Sequence, residues 1–325
     1  MDDQALSIAG VIINPRSGRG RGKGLALAQA LSVTEKDAPH LQVLNTFAEL
    51  EPALQRFASS GVTDLFISSG DGTVQAIQTW LAESKAFKTL PRLCLLPHGT
   101  TNMTAADLGF RRNNIAEQVR FIRDPQVNQT RARHTLRIVN PKGSGPLHAM
   151  FFGTGAASEA TRYCQTAFND KGVGGNMATF ATLATVISKS LFRAPNANDP
   201  HRFDKPYNIS LHTDAAPVCN GNQLLMLATT LEKLILGAKP FWGGNNAAIR
   251  TTVFPYPIPS IPRWIIPALY GSEQRNGPPG AISRACHTCA VTSTTSFVID
   301  GEFHEFPDTG ALHIETGPLF EYIST

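Results

Sequence analysis

The sequence is sparing in charged residues, aromatic residues and cysteines, and it has no long apolar run. Charged residues make up 17% and aromatic residues 8% of the 325 positions, whereas 42% are hydrophobic, which excludes a mainly disordered chain. No basic-then-apolar leader precedes Val11, and no apolar stretch approaches the ~20 residues of a membrane span. We therefore expect a cytoplasmic protein without a transmembrane segment.

The cysteine content and the net charge limit which cofactors and partners are expected. Five cysteines in a chain without an export signal favour reduced thiols over a disulfide framework. Cys286 and Cys289 have the spacing of metal ligands, but no second pair accompanies them, so zinc is not expected. The formal charge of +4 favours anionic ligands or an anionic membrane surface, and it is small for a nucleic-acid-binding protein. We expect no nucleic-acid partner.

The length and the pattern of hydrophobic residues predict two domains. From residue 7 to about 125, short β-branched runs alternate with longer helical stretches, which is typical of a doubly wound α/β domain. Beyond about residue 130, β-rich segments with frequent turns predict a largely antiparallel, sandwich-like domain. We predict an α/β nucleotide-binding domain at 1–130, with 311–325 as a candidate return to it, and a β-rich domain at 131–310.

The predicted elements follow from this pattern. In the first domain the predicted strands are Ile8–Ile13, Leu41–Leu44, Asp64–Ser68 and Leu93–Leu96, and the predicted helices are Leu25–Leu31, Ala48–Phe57, Val74–Leu81 and Thr104–Leu108. In the second domain the predicted strands are Ala132–Val139, His148–Phe152, Tyr207–His212, Gln223–Thr229, Ala248–Phe254 and Ala290–Ile299. A helical insertion at Ala156–Phe192 and a proline-rich stretch at Pro255–Pro267 interrupt these strands.

Three turns rich in small residues follow strands of the first domain. The first contains Asn14, Ser17 and Gly18 and carries several cations, the second reads Ser69-Gly70-Asp71-Gly72-Thr73, and the third contains Gly99, Thr100 and Asn102. Small residues at a strand end allow backbone N–H groups to approach phosphate oxygens closely. Because ligands bind at the carboxyl ends of parallel strands, these turns predict a phosphate site. A solvated basic loop, an Asp-Gly turn and a helix cap are the respective alternatives.

Carboxylates in two of these places could perform chemistry. Asp71, between two glycines after an apolar strand, suits either general-base work on a hydroxyl or contact with Mg²⁺. Asp300 and Glu302 supply two further carboxylates around Gly301, late in the chain. The alternative for this late pair is an ordinary Asp-Gly hairpin.

Taken together and in this order, these elements resemble the diacylglycerol kinase catalytic-domain family, which includes bacterial lipid kinases, sphingosine kinases and ceramide kinases. The resemblance covers most of the chain, and Gly153 to Ala157 also resembles a glycine-bearing segment near the family's lipid pocket. It implies a lipid kinase with an NAD kinase-like first domain, ATP and Mg²⁺ in an interdomain cleft, and an acyl-chain pocket on the β-rich domain. The residues that it implies for nucleotide contact are Asn14, Ser17, Gly18, Ser69, Gly70, Gly72, Thr73, Gly99, Thr100 and Asn102.

The resemblance also assigns roles to acidic residues. Asp71 is the leading candidate to activate the lipid hydroxyl, with Asp300 as its rival, and Asp71, Asp300 and Glu302 are candidates for metal or nucleotide contact. Glu159, with Gly155 before it, matches the place where sphingosine kinases carry an acidic residue that faces the substrate's amine. Ala76 departs from the family, which usually has a glutamate there.

A lipid substrate at a membrane surface requires peripheral membrane association, for which Phe180–Phe192 and Ile258–Tyr270 are the two candidate stretches. Core packing is the alternative for both stretches. An NAD kinase-like enzyme, or a catalytically weak lipid- or nucleotide-binding protein suggested by Ala76, stays open as an alternative function. A homodimer is compatible with the sequence.

Overall fold

The computed structural model describes residues 7–20, 22–32, 40–99, 102–108, 114–125, 127, 129–169, 205–214, 216–258, 261–270 and 277–324. The chain divides into two compact units, the first formed by Met1–Arg133 with Pro318–Thr325 and the second by His134–Gly317. The first unit is α/β with parallel strands and the second is antiparallel and β-rich, which confirms the predicted fold class. No described helix has both the length and the apolar character that crossing a membrane requires.

The first unit is built on a parallel sheet. Its strands are β1 (Ala9–Ile13), β2 (His40–Val43), β3 (Asp64–Ser69), β4 (Arg92–Pro97) and, after the second unit, the end of β16 (Leu312–Ser324). They lie in the order β2, β1, β3, β4, β16. The helices are α1 (Lys23–Ser32), α2 (Leu50–Ser59), α3 (Asp71–Ser84), α4 (Met103–Leu108) and α5 (Ile115–Arg123), with 3₁₀ turns at Ser17–Gly20 and Phe47–Glu49.

The strand register shows that the carboxyl ends of the central strands lie at one edge of this sheet. Ile13 pairs with Ser68 and Ser68 with Leu96, so β1, β3 and β4 end at the same level. At the opposite end, the buried carboxylate of Asp64 receives Nε and a terminal nitrogen of Arg92, at 2.6 and 2.8 Å. This two-pronged pair holds the starts of β3 and β4 together and leaves their carboxyl ends to carry the turns.

Helices cover the sheet and close the first core. Leu27 and Leu31 of α1 and Phe121 of α5 pack with the strand residues Val11 and Phe66, all of them buried. Phe66 and Phe121 meet edge to face with centroids 6.0 Å apart. The amphipathic periodicity in the sequence therefore identified the correct helices, because their apolar stripes cover the fully buried parallel strands.

The second unit is formed mainly by antiparallel strands. They are the end of β5 (Gln129–Ile138), β6 (Leu147–Ala149), β7 (Phe151–Gly155), β8 (Tyr207–Thr213), β9 (Ala216–Cys219), β10 (Asn222–Thr229), β11 (Ile249–Pro255), β12 (Ile282–Cys286), β13 (Thr288–Ser293), β14 (Phe297–Ile299), β15 (Glu302–His304) and the start of β16. Its helices are α6 (Ala156–Asn169) and α7 (Ile261–Tyr270), with a 3₁₀ turn at Ile235–Gly237. The chain passes from the first unit to the second within β5 and returns within β16.

Several predicted elements have different limits in the structure. The helix predicted to start at Val74 starts at Asp71, because Gly70 is its extended N-cap. The strands predicted at His148–Phe152 and Ala290–Ile299 are each divided, the second by the loop that precedes β14. The proline-rich stretch contains α7, in which Pro262 lies in the first turn, where an N–H would have no intrahelical partner, and Pro267 lies inside the helix. Of the predicted insertion, residues 170–192 lie outside the described residues.

Candidate active site

The turn after β1 is held in place by Asn14. The backbone N–H of Asn14 donates to the carbonyl of Ser68 at 3.0 Å, and its side-chain amide donates to Thr73 Oγ1 at 2.9 Å. Its side-chain oxygen accepts the N–H of Arg16 at 3.1 Å. One asparagine thus shapes its own turn and ties it to α3, so the first and second turns are neighbours.

The second turn places Asp71 in the first turn of α3. Gly70 provides no side-chain cap, and the first N–H groups of a helix lack intrahelical partners, so this end favours an anion. Asp71 is half-buried, and its Oδ2 accepts the N–H of Met103 at 3.4 Å. The carboxylate therefore reaches across to the start of α4, just after the third turn.

Burial raises the pKa of Asp71 to about 6, although the backbone N–H groups of Met103, Thr104 and Asn102 act in the lowering direction. A carboxylate with this pKa is mostly ionised at neutral pH and is a stronger proton acceptor than an ordinary aspartate. Such a value suits a general base, because proton transfer is most effective when the pKa of the base lies near the working pH.

The third turn is closed by a reciprocal pair of hydrogen bonds. The N–H of Gly99 donates to Asn102 Oδ1 at 2.8 Å, and the Asn102 amide donates to the carbonyl of Gly99 at 2.8 Å. Asn102 has φ +50°, a left-handed conformation that asparagine tolerates better than most residues. The predicted contact residue Thr100 lies outside the described residues.

Backbone touches backbone where the three turns meet. A Cβ placed on Gly99 would lie 2.5 Å from the Cα of Gly70 and 3.0 Å from the carbonyl oxygen of Ser69. Gly18 has φ +64°, and a Cβ there would collide with the carbonyl oxygen of His98. No side chain fits at either position. The sequence analysis predicted three turns at strand ends, and the structure brings those turns into contact.

The pair His98 and Ser68 was not among the predicted site residues. Ser68 Oγ and His98 Nδ1 lie 2.7 Å apart in a buried position that joins the ends of β3 and β4. Burial first, and the charge of Lys23 second, lower the pKa of His98 to about 4, so the imidazole is neutral at neutral pH. Its place directly before Gly99 was the available signal, but burial of a histidine cannot be seen in a single sequence.

The predicted lipid-facing residues belong to the second unit. Gly155 ends β7 with φ +70°, and a Cβ there would lie 2.8 Å from the carbonyl oxygen of Leu224. Its N–H donates to Thr295 Oγ1 at 3.3 Å. Glu159 lies half-buried in the first turn of α6, which starts directly after this glycine. A sharp strand-to-helix corner thus presents Glu159, and its role stays a prediction.

The late acidic pair flanks the hairpin between β14 and β15, with Asp300 buried and Glu302 exposed. The two carboxylate oxygens of Asp300 accept the N–H groups of Met150 and Phe151, each at 2.9 Å. Asp300 itself has φ +46° and Gly301 φ +95°, as a tight Asp-Gly turn requires. These bonds make Asp300 an anchor for the junction of β6 and β7, and its catalytic or metal role stays a prediction.

Replacing Asp300 with Asn should therefore lower stability. The amide keeps one acceptor but turns an N–H₂ group toward a buried backbone donor, at a cost of about 1–3 kcal/mol. We expect the midpoint of thermal unfolding to fall by several degrees, roughly 3–8 °C. The exposed Glu302→Gln change is the matched control and should leave the midpoint unchanged. A variant Asp300→Asn with full stability and no kinase activity would instead support a direct catalytic role.

Metal binding at this edge would depend on the nucleotide. Among the described residues, no group of three or more His, Cys, Asp or Glu side chains is placed to hold a metal ion. Mg²⁺ is usually held by one or two carboxylates together with substrate phosphates rather than by a protein cage. A single carboxylate, Asp71, beside glycine turns that could receive phosphates therefore fits a magnesium–nucleotide complex.

Comparisons with known proteins agree with this geometry. Residues 9–135 match the family model described as the diacylglycerol kinase catalytic domain. A solved structure of a diacylglycerol kinase from Bacillus anthracis str. Sterne matches with a TM-score of 0.62 at 18% identity, covering 98% of this chain and 96% of that chain.

Two nucleotide kinases match less well. An NAD kinase from Archaeoglobus fulgidus in complex with ATP has a TM-score of 0.45 at 11% identity, over 97% of this chain and 93% of that chain. A yeast NADH kinase complexed with NADH has a TM-score of 0.47 at 10% identity, over 99% and 84%. A comparison with curated proteins gave no match. At 18% identity the likeness to the Bacillus anthracis structure shows the fold alone, and the family model matches residues 9–135 only.

Proposed function

We propose that this protein transfers the γ-phosphoryl group of ATP to the hydroxyl of a lipid, because residues 9–135 match the model of the diacylglycerol kinase catalytic domain. The acceptor class is diacylglycerol or a related acylglycerol or sphingoid lipid. The observation that carries the proposal is the meeting of three glycine-bearing turns around one carboxylate of raised pKa, Asp71.

The turns suit the phosphates of a nucleotide. Small residues leave backbone N–H groups accessible, and the N-terminus of α3 adds the favourable end of a helix dipole. Gly99 is tightly packed, whereas a Cβ on Gly70 would meet nothing closer than 3.7 Å. There is therefore room for a ligand atom beside Gly70. The proposed nucleotide contacts are Asn14, Ser17, Gly18, Ser69, Gly70, Gly72, Thr73, Gly99, Thr100 and Asn102.

Asp71 is the proposed base. It accepts the proton of the lipid hydroxyl while the lipid oxygen forms a bond to the γ-phosphorus and the bond from that phosphorus to the β-phosphate oxygen breaks, releasing ADP. When bound, Mg²⁺ would neutralise phosphate charge, and Asp71 is the first candidate to contact it beside the phosphates. Asp300 and Glu302 are the second candidates for metal or nucleotide contact.

The acceptor is proposed to approach the second unit. Gly155 and Glu159 at the corner between β7 and α6 are the proposed substrate residues, with the carboxylate of Glu159 suited to an amine or hydroxyl of the head group. A water-insoluble acceptor requires a protein that works at a membrane surface from the cytoplasm, so we include peripheral association in the proposal.

A lipid-panel assay tests this function. The purified protein is given labelled ATP, Mg²⁺ and, separately, diacylglycerol, monoacylglycerol, ceramide and sphingosine, and NAD serves as the arm for an NAD kinase. We expect labelled phospholipid from one lipid class and no labelled NADP. Labelled NADP without labelled lipid would establish the NAD kinase alternative. Tight ATP binding in calorimetry without turnover on any acceptor would establish a nucleotide-binding protein, consistent with Ala76.

A further inference from the structure

In the described part of the second unit, the large apolar side chains that are exposed lie at one place. Ile266 and Tyr270 of α7 are 66% and 50% exposed, and Leu236, in the 3₁₀ turn before β11, is 37% exposed. The Tyr270 hydroxyl donates to the carbonyl of Leu236 at 3.3 Å. The N–H of Lys239 donates to the carbonyl of Leu269 at 2.7 Å. The turn and the helix are therefore in direct contact, and we call Leu236, Ile266 and Tyr270 the apolar face.

Helix α7 has one exposed side that carries apolar residues and a cation, and one buried side, as helices that lie at a membrane surface have. Arg263, Ile266 and Tyr270 follow the spacing i, i+3, i+7, which places them on one exposed side. Ala268 points to the other side and is buried. A group of neighbouring exposed apolar side chains on a folded unit can mark a contact with a membrane or a partner.

Leu236 has a strained backbone conformation. It has φ +59° and ψ 18°, the left-handed conformation in which a leucine is disfavoured and glycine or asparagine is usual. A solvated glycine would serve this turn without strain and without exposing a leucine. An apolar residue that is both strained and exposed indicates that its side chain has a use.

The charged residues within the two segments that form the apolar face have one sign, and the exposed Glu232 lies four residues before Leu236. Arg263 lies on the same side of α7 as Ile266, and Lys239 is joined to the end of that helix. The segments Leu234–Pro240 and Ile261–Tyr270 contain no aspartate or glutamate. Apolar side chains bordered by cations match an anionic bilayer, where the apolar groups enter the acyl boundary and the cations meet phosphate head groups.

We propose that the apolar face, with Arg263 and Lys239 at its border, docks this protein onto the surface of an anionic lipid bilayer. The proposal rests on the proposed function, because it names the surface by which a kinase would reach a lipid acceptor. A second copy is a poorer occupant, since a two-fold contact through this face would bring its cations toward the same cations of the partner. The other candidate stretch, Phe180–Phe192, lies outside the described residues.

Vesicle sedimentation tests the docking without ATP or turnover. We expect the full chain to bind vesicles of phosphatidylcholine mixed with phosphatidylglycerol more tightly than vesicles of phosphatidylcholine alone, and to lose this preference at high salt. The double change Leu236→Ser with Ile266→Ser should raise the lipid concentration for half-binding about tenfold or more. Arg263→Gln should raise it several-fold on anionic vesicles and leave weak binding to neutral vesicles unchanged.

The matched control is Phe47→Ser. Phe47 is 57% exposed but belongs to the first unit, so its replacement should not change vesicle binding. Equal loss in Phe47→Ser and in the double variant, or equal binding to neutral and anionic vesicles, would overturn the proposal. Vesicle binding that survives the double change, together with conversion of a dimer into a monomer, would also overturn it and would make the face a contact between copies.

Kinase assays separate this proposal from the proposed function. The double variant should phosphorylate a short-chain, water-soluble diacylglycerol at the wild-type rate and a vesicle-embedded diacylglycerol at least several-fold more slowly. Face-dependent vesicle binding without kinase activity on any lipid would retain the docking surface and remove the lipid kinase function. If all variants of the apolar face bind vesicles like the wild type and kinase activity is present, the lipid kinase function is retained and the docking surface is removed.

Discussion

Asp71→Asn should lower kcat for lipid phosphorylation by about 10²-fold or more, because an amide cannot accept the hydroxyl proton. The loss should appear mainly in kcat and much less in the affinity for ATP measured by calorimetry, since the turns around residue 71 are held by Asn14, Gly99 and Asn102. The wild-type rate should also rise with pH through about 6, as Asp71 ionises. Glu51→Gln, an exposed change in α2, is the control and should keep full activity.

The same substitution should not destabilise the protein at neutral pH. The pKa of Asp71 is raised from 3.8 to about 6 on folding, so between these values the folded protein holds a proton that the unfolded chain has released. Stability must then fall as pH rises through that window, and ionised Asp71 costs about 1–3 kcal/mol above it. Asp71→Asn removes this cost, so thermal unfolding at pH 8 should occur at the wild-type temperature or higher.

The pH dependence separates the possible outcomes. The stability difference between Asp71→Asn and the wild type should be larger at pH 8 than at pH 4.5, where the wild-type carboxyl is already protonated in the folded protein. An unchanged kcat would refute Asp71 as the base and transfer that role to Asp300. A variant that loses stability equally at both pH values would show that Asp71 acts as a structural acceptor for Met103.

Gly99→Ala should reduce kcat/KM by about 10²-fold, through weaker ATP binding, because displacement of a positioning group by about 1 Å has an effect of this size. Its Cβ would lie 2.5 Å from the Cα of Gly70 and 2.8 Å from Asn102 Oδ1, so the second and third turns must separate. The hydrogen bonds that close the turn between Gly99 and Asn102 would be distorted as well. ATP affinity by calorimetry and steady-state kinetics with the lipid acceptor measure the two effects.

Two further glycine-to-alanine substitutions show whether the loss in Gly99→Ala comes from the nucleotide site. Gly145→Ala meets nothing within 4 Å and should leave activity and stability unchanged. Gly70→Ala meets only ordinary contacts at 3.7 and 3.9 Å, so it should fold normally, yet its methyl group would occupy the space proposed for phosphate. Normal ATP affinity in both Gly99→Ala and Gly70→Ala would exclude these turns as the nucleotide site.

Much of the first unit could be predicted from the sequence. Runs such as Val11–Ile13 and Leu65–Ile67 are continuous and apolar because parallel strands are buried on both faces, and this pattern is local. The glycine turns were found at strand ends for the same reason. Limits were less accurate, since the start of α3 at Asp71 depends on the extended backbone of Gly70, which an Asp-Gly sequence does not specify.

The properties of the candidate site residues could not be predicted from the sequence alone. Asp71 and Asp300 look alike in sequence, each an aspartate directly before a glycine. In the fold, desolvation raises the pKa of Asp71, whereas Asp300 accepts the N–H groups of Met150 and Phe151 from a strand junction far away in the chain. Burial and long-range partners, which determine these different properties, arise only when distant segments pack.

The strands and the three turns of the first unit, and the resemblance to diacylglycerol kinases, could be predicted without coordinates, because hydrophobic period and glycine spacing are local properties of the chain. Three contacts are seen only in the folded protein: Gly99 lies against Gly70, His98 is buried on Ser68, and the apolar residues of α7 face outward beside Leu236. The physical reason is that strand order and register set which turns meet, and no local pattern contains that information.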